Sequence, residues 1–461
     1  MALSLSEPEP TCYTMAAKSH EWCQAMNLEF DALLQNHTWT PVPSHPSQNL
    51  IGCKWVFRVK RKADGSVEQH KARLVAKGFH QQSRVDYDET YGLVIKPTTV
   101  RTVLSIAISS GWLIRQIDIQ NAFLHSTLSE EVFMSQPLGY QHPIYPNHVC
   151  KLQRAIYELK QAPRDWFSHL STKLLELGFD GSCSYSSLFI YKTKSLTMFI
   201  LIYVDDIIFT SSQLLAIDDL LLSLTHDFAV KDLGSLNFFL GVEVLSTPHG
   251  ILLSQQRYIM DLLIQTKMNE AKSITTPMAS TTSLSAFEGE PFPDHTLYKS
   301  TVGALQYLGL TRPDIAFTVN KLFQFMQKPT LLHWQFVKRL LRYLKHTIHF
   351  GLHISCSSAP LIQAFSNADW ASSHDDRCST GSYCIFLSEN LISWSCKKQA
   401  TVAHSSTEAE YKALANAEVK RLQSLLHELG QSYSSSPILW CDNIGTTLLP
   451  KYQPKRGGAL G

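Results

Sequence analysis

Apolar positions along the chain fall into alternating helical and strand-like runs. Trp22, Met26, Phe30 and Leu33 recur at helical spacing, and Pro41, Pro43 and Pro46 close that helix. Residues 1 to about 20 are small, polar and Pro-containing, which predicts a frayed lead-in. Ile51 to Lys60 alternates as a strand does, and Ala63-Asp64-Gly65-Ser66 predicts the hairpin turn into a second strand. The spacing predicts helix from Val100 to Leu113 and from Ala155 to Leu177, with a strand ending at Gln116 to Asp118 between them. Met198 to Val204 and Ile207 to Thr210 are two apolar strands on either side of an acidic turn. From about 270 to 297 Ser, Thr, Pro and acidic residues dominate, as in a linker. Helices are predicted from Ser300 to Leu310 and from Leu332 to Leu344. A third unit begins near Leu361 with strands, continues as a helix from Glu408 to Leu429, and ends on the short strand Ile438 to Cys441.

Length and composition narrow the picture. With 461 residues, about three domains are expected. Hydrophobic residues make up 44% of the chain and charged ones 17%, which excludes intrinsic disorder and a histone-like polybasic chain. The 41 Lys and Arg nearly balance 39 Asp and Glu, so any basic surface must be local. One such place is Lys54 to Lys77, with eight basic residues (Lys54, Arg58, Lys60, Arg61, Lys62, Lys71, Arg73, Lys77) against Asp64 and Glu68. A solvated hairpin or a phosphate-contacting one would both look like this, and the excess of charge favours phosphate. Lys338, Arg342 and Lys345 share one helix face, suited equally to a duplex backbone or to plain amphipathicity. The ten cysteines form no close pair and meet no zinc spacing, which argues for a reducing compartment. The start lacks the features of a secretory signal, and the apolar run Met198 to Val204 is far short of the about 20 residues of a membrane helix. The expectation is an intracellular protein, cytoplasmic or nuclear, with no membrane partner.

The acidic turn Tyr203-Val204-Asp205-Asp206 carries the sharpest chemistry. Asp is a favoured turn residue, so a plain hairpin is one reading. The other is a cation site. Two ionised carboxylates about 4 Å apart repel by about 4 kcal/mol at an effective dielectric of 20, and a divalent cation with a preference for oxygen removes that cost. Asp118, at the end of another apolar strand, is a third candidate; a cap or surface ion pair would be its ordinary use. Three such carboxylates could hold two metal ions that activate a hydroxyl and stabilise a leaving pyrophosphate. A metal-dependent phosphohydrolase would use the same groups, but the basic hairpin and the lack of His near Asp205 argue against it.

The order of motifs resembles the reverse transcriptase of copia-type LTR retrotransposons over roughly residues 20 to 445. Trp55-Val56-Phe57, Lys71-Ala72-Arg73-Leu74-Val75-Ala76-Lys77-Gly78, the Asp118 strand, Leu159-Lys160-Gln161-Ala162-Pro163-Arg164 and Tyr203-Val204-Asp205-Asp206 occur in sequence. Lys231-Asp232-Leu233-Gly234, Phe239-Leu240-Gly241-Val242-Glu243 and Thr311-Arg312-Pro313-Asp314-Ile315 follow. The resemblance implies an RNA-directed DNA polymerase with an α+β right-hand fold of fingers, palm and thumb, followed by a truncated α/β ribonuclease H-like domain. It makes Asp118, Asp205 and Asp206 the catalytic carboxylates and ligands of two Mg2+ ions, with Mn2+ as a substitute. Arg73 would grip the triphosphate, Phe123 would exclude the ribose 2′-hydroxyl, and Gln161 and Tyr203 would contact the nucleotide. For Phe123 an ordinary core role fits the sequence equally well. Phe239, Leu240 and Gly241 match the primer grip. RNA template, DNA primer and dNTPs are the implied partners; oligomeric state is not implied. The implied division is an N-terminal segment at 1–35, fingers and palm at 36–270, thumb and connection at 271–355, and the ribonuclease H-like unit at 356–461.

Several positions depart from the family pattern. In the C-terminal unit, Asn367 stands where the first acid is expected, two residues before Asp369, while Glu410 and Asp442 match two other acids. Asp369 shares the strand face of Asn367 by period 2, without being an assumed substitute. The family's last acid is expected beyond the chain. A remnant without useful hydrolysis is the expectation. Glu158, Arg84 and Ser126 replace usual glycines, Leu93 a usual proline, and Tyr185 a usual acid. Glycine often marks a positive φ or a close approach, so Glu158 and Arg84 are expected to be strained, at about 1–3 kcal/mol each. Each glycine, Asp or Pro change of this kind can arise by one G-to-A or C-to-T transition, which suggests a decaying genomic copy and a fragment of a polyprotein. The alternative function is a catalytically dead nucleic-acid-binding relic.

Overall fold

A computed structural model describes residues 9–61, 66–87, 90, 96–279, 284–357, 361–415, 418–431 and 436–443. The turn at Ala63 to Gly65, Lys62 and Leu93 lie outside the described residues.

At the centre is a sheet of six antiparallel strands. Their order is Val230–Ser235, Leu113–Ile119, Asp206–Ser211, Thr197–Tyr203, Leu188–Lys192 and Asp180–Gly181. Its middle strands are continuous apolar runs because both faces are covered, and the pleat divides each run between two cores. Ile200, Ile202 and Ile207 face Trp166, Leu170 and Leu174 of the helix Ala162–Glu176 and Ile217 and Leu224 of the helix Leu214–Thr225. Phe199, Leu201 and Ile208 face Val100, Val103 and Leu104 of the helix Pro97–Ser109.

Cys53–Arg61 and Val67–Ala76 form a two-stranded hairpin. Trp55, Phe57, Ala72 and Leu74 are buried on one face against Trp22 and Met26 of the helix His20–Gln35. The alternate residues Arg58, Lys60, Lys71 and Arg73 therefore fall on the other face, which looks towards the sheet. Trp39–Pro43 forms an edge strand against His148–Leu152 although it contains Pro41 and Pro43; an edge tolerates a missing N–H.

Two helices end or begin differently from their periodicity. The Val100 helix stops at Ser109, because Gly111 takes φ +66 and the chain turns into the strand at Leu113. The predicted Ala155 helix begins only at Ala162: Glu158 is left-handed at φ +66, which no α-helix accommodates.

After the strands Val242–Thr247 and Gly250–Ser254 come the helices Gln256–Gln265, His295–Tyr307, Ala316–Phe323 and Leu331–His346. The basic face of the last helix holds the linker: Arg339 donates to Thr276 Oγ1, Arg342 to the Lys272 carbonyl and Lys345 to the Ala271 carbonyl. The strand Gly351–Ser355 then returns to pair with Gly250–Ser254, so residues on either side of the 270/271 division share one sheet. The C-terminal unit has the strand order Asn390–Lys398, Thr380–Leu387, Ile362–Asp369 and Ile438–Trp440, the last pair parallel. The single helix read from Glu408 to Leu429 is two, Ser406–Ala415 and Val419–Glu428. Ile385, Ile392, Leu422 and Leu425 join the same core as Val103 and Leu201 of the central sheet. Among the described residues no helix is long and apolar enough to cross a membrane.

Candidate active site

A cleft of about 740 Å³ opens between the basic hairpin face and the central sheet. Asp118 and Asp206 are direct cross-strand partners, and Tyr203 partners Asp206 on the other side. Lys231 pairs with Asp118 from the outer strand. Asp205 enters from the two-residue turn between Tyr203 and Asp206. All three aspartates line the cleft, facing Arg58, Lys60, Lys71 and Arg73 across it.

Burial, then Asp205 and Asp118 beside it, push the Asp206 carboxyl up to about 6. Burial raises Asp205 as well, with Asp118 adding to it. On the opposite wall burial lowers the Lys71 ammonium, as do Arg73 and Lys60, while Asp118 opposes them. Asp205 and Asp206 thus resist ionisation together, and Lys71 is crowded by its cationic neighbours. A bridging species with both a divalent cation and phosphates would relieve both walls. Arg73 lies with its guanidinium 4.2 Å over the Tyr157 ring, and its buried Nε has no hydrogen-bond partner among the described residues. The donor set on the sheet is three carboxylates, hard oxygen ligands that fit Mg2+ or Mn2+.

Not every residue named from the sequence reaches the cleft. Tyr203 does, partly exposed. Leu240 and Gly241 do, at the centre of a two-residue hairpin in which both have positive φ, +50 and +66. Phe239 instead points into the core. Phe123 is buried edge-on to Tyr157, 5.0 Å between centroids, and does not line the cleft. Gln161 is fully buried; its amide accepts from Gln81 and donates to the Asp86 carbonyl, which ties down the 81–86 loop. Both rings and amide are consumed by packing, a use the sequence leaves open.

Three supporting residues carry no motif-level signal of their role. Tyr307, from a distant helix, donates to the Leu240 carbonyl and closes over Gly241, where a Cβ would stand 2.4 Å from its hydroxyl. Trp166, completely buried, donates to the Val204 carbonyl. Gln116 donates weakly, at 3.4 Å, to Asp206; it sits two residues before Asp118, so strand period alone would have found it.

In the C-terminal unit Glu410 is buried; one carboxylate oxygen accepts from the Ala368 N–H and the other has no partner among the described residues. Its potential ligand atoms, with those of Cys441 and Asp442, lie within 4.8 Å of one another, the one such trio among the described residues. The three aspartates of the larger cleft are set wider. Burial, helped by Asp442, raises the Glu410 carboxyl. Asn367 lines the same hollow as Asp442. Asp369 does not: its carboxylate accepts from the Thr380 N–H and faces a separate cleft with Asp376 and Lys398.

The positions expected to need glycine behave unevenly. Arg84 and Glu158 are left-handed, at φ +63 and +66, whereas Ser126 is ordinary at −101. Tyr185 is buried beside Lys96, whose ammonium is 5.3 Å from its ring centre.

A mixed α/β chain with this cleft has a polymerase-like fold. Residues 36–280 match the family described as reverse transcriptase (RNA-dependent DNA polymerase), and the chain belongs to that family. It is 46% identical over 453 residues to the retrovirus-related Pol polyprotein from transposon RE1 of Arabidopsis thaliana, covering 97% of this chain and 31% of that protein. The corresponding polyprotein from transposon RE2 of the same plant is 46% identical over 444 residues, 96% of this chain and 30% of the relative. That from transposon TNT 1-94 of Nicotiana tabacum is 34% identical over 449 residues, 94% and 33%. The chain spans about a third of the length of these relatives, and the likeness covers nearly all of it.

Proposed function

We propose that this chain is an RNA-directed DNA polymerase that extends a DNA primer on an RNA template using dNTPs. The observation that carries the proposal is the convergence of Asp118, Asp205 and Asp206 on one cleft whose opposite wall is cationic. In this reading the Cys53–Ala76 hairpin acts as fingers, the six-stranded sheet as palm, residues 271–355 as thumb and connection, and residues 356–461 as a ribonuclease H-like unit.

The three carboxylates fit two Mg2+ ions, which when bound supply Lewis-acid activation of the primer 3′-hydroxyl and charge neutralisation at the pyrophosphate. The chain's own groups do the rest. Asp118 and Asp206, set side by side by strand register, present their carboxylates from two strands to the same cleft. Arg73, held flat on Tyr157 at the cleft wall, binds the triphosphate, and Lys71 and Lys60 neutralise its remaining charge. Tyr203 supports the nucleotide beside Asp206. The Leu240-Gly241 hairpin, braced by Tyr307, carries the primer end where it lines the same cleft.

The C-terminal unit is proposed to be hydrolytically silent. Asn367 supplies no negative charge, and Asp369 is engaged elsewhere. Cleavage of RNA in a heteroduplex at rates like those of an intact enzyme would overturn this part alone.

The test of the main proposal is thymidine incorporation on an rA template with a dT primer, comparing the unmutated chain with Asp205→Asn in Mg2+ and then Mn2+. Incorporation that disappears in the variant is the expected outcome. A folded chain that binds primer–template without turnover would favour the alternative, a nucleic-acid-binding relic. The left-handed Arg84 and Glu158 are the observations that favour that second reading.

A further inference from the structure

The strands Thr197–Tyr203 and Asp206–Ser211 are joined by two residues only, since Tyr203 and Asp206 are still cross-strand partners. Val204, the first of them, takes φ +56. Tight hairpins call for such a backbone at this position, and Gly, Asn or Asp ordinarily fill it. A β-branched side chain there is crowded against its own backbone. Nothing in Val204 itself favours the conformation on which the direction of Asp205 and Asp206 depends.

Two contacts from outside the hairpin hold it. Trp166 Nε1 donates to the Val204 carbonyl across 2.6 Å, and the Ile119 N–H donates to the Asp205 carbonyl across 3.0 Å. The second is main chain and is available to any sequence. The first depends on one side chain. Trp166 is completely buried on the helix behind the sheet and packs edge-on to Phe228, 5.4 Å between centroids, so its N–H has one fixed direction. A buried ring needs no donor to fill space; the donor is needed because the carbonyl it meets points inward, away from the strand ladder.

We propose that Trp166 is a positioning residue: acting through the Val204 carbonyl, its indole N–H locks the strained turn so that Asp205 and Asp206 are directed into the cleft. The assignment rests on the polymerase reading for its purpose and on the hairpin geometry for its existence. Trp166 touches no reacting atom. It fixes the peptide immediately before the first of the paired carboxylates.

Trp166→Phe keeps an aromatic ring and removes the donor. Replacement of Trp166 by benzothienylalanine keeps the bicyclic shape and also removes it, which covers the case in which phenylalanine leaves too large a cavity to fold. Each is titrated with Mn2+ beside the unmutated chain, and primer extension is measured on the same preparations. The expected result is Mn2+ affinity weakened about tenfold, and kcat reduced about tenfold, with KM for primer–template unchanged. Adding Val204→Gly, which removes the conformational conflict that the clamp opposes, is expected to restore a large part of both. Equal Mn2+ affinity with and without the indole N–H overturns the clamp while leaving the polymerase reading intact. So does a loss that Val204→Gly leaves unchanged, because a general packing defect would behave that way. An unmutated chain that neither binds Mn2+ nor extends a primer overturns the polymerase reading, and with it the purpose assigned to Trp166.

Discussion

Glu158 concentrates the conflict between chain and fold at a single residue. Its φ of +66 is a backbone that suits glycine, and its carbonyl comes so close to Gly78 that a Cβ there would stand 2.0 Å away. Its side chain recovers one contact, an ion pair with Lys54 at 3.2 Å, with both side chains about half exposed. Exposed pairs contribute about 0–1 kcal/mol, while the left-handed conformation costs a non-glycine residue about 1 kcal/mol or more. Glu158→Gly is therefore expected to stabilise the chain by roughly 0.5–1 kcal/mol, read from denaturant midpoints. Gly78→Ala is expected to destabilise it markedly, because the obstruction is backbone. A second expectation at this scale concerns Asp206, whose carboxyl is held at about 6 against an ordinary 3.8, by burial first and by Asp205 and Asp118 after it. A carboxyl raised in the folded state takes up protons on folding, so its contribution to stability grows as pH falls through about 6 towards the unfolded value. In chelator, the unmutated chain should gain about 1 kcal/mol relative to Asp206→Asn between pH 7 and pH 5. Thermal melts of the two proteins at both pH values give that difference; parallel curves would show that Asp206 does not titrate in this window.

At the scale of elements, the Phe239–Val242 hairpin depends on a helix about sixty residues further along the chain. Leu240 is left-handed at φ +50, and its carbonyl accepts from the Tyr307 hydroxyl. Tyr307→Phe leaves the ring over Gly241 and removes that bond. In the polymerase reading this should weaken primer–template binding by about tenfold or less, the size of one hydrogen bond, with nucleotide KM unchanged, as fluorescence anisotropy of a labelled duplex would report. Much of the element pattern was legible beforehand. The apolar runs on either side of Asp205-Asp206 read as strands, and the alternation from Ile51 to Lys60 together with the excess of positive charge read as a basic hairpin, although which of its faces is cationic was not legible. The left-handed Arg84 and Glu158 were also foreseen, because glycine positions carry conformational information. Helix ends were less legible. Ala155 to Leu177 keeps an apolar periodicity through a turn that is not helical, since periodicity reports which side chains are buried and not which backbone buries them. Partners such as Tyr307 and Trp166 were not legible at all: they act through carbonyls of distant residues, and a main-chain acceptor leaves no trace in a motif. Phe123 and Gln161 show the converse. They occupy motif positions, yet the ring packs on Tyr157 and the amide is bonded to Gln81 and Asp86.

For the molecule as a whole, the C-terminal unit and the central sheet are one packed body. Arg101, on the helix beneath the sheet, is buried, donates to the Ile392 carbonyl at 2.8 Å and the Leu310 carbonyl at 3.0 Å, and lies 3.7 Å over the Trp394 ring. Burial lowers its pKa to about 9; carbonyl dipoles and a ring face hold the enclosed cation, with no carboxylate partner among the described residues. Thr98 bonds Ser393, Asn390 bonds Ser105, and Ser182 and Ser184 both donate to Glu428. Around these polar contacts Ile385, Ile392, Leu422 and Leu425 complete a core begun by Val103, Leu104 and Leu201. A chain ending at residue 357 would uncover that apolar face and leave Arg101 with only the Leu310 carbonyl. It should bind a hydrophobic dye and aggregate and, in the polymerase reading, extend primers poorly even though all three aspartates are present. Arg101→Met in the full chain isolates the polar part of the contact. Two buried carbonyls lose a charged donor, at about 1–3 kcal/mol each before relaxation, so a loss of roughly 2–4 kcal/mol is expected by denaturant unfolding. Asn367→Asp, which alters the C-terminal hollow without touching this interface, should leave primer extension unchanged. That contrast separates a brace from a hydrolase: in the polymerase reading, if primer extension follows Arg101 and ignores Asn367, the C-terminal unit matters to the larger cleft through packing and not through the residue at 367.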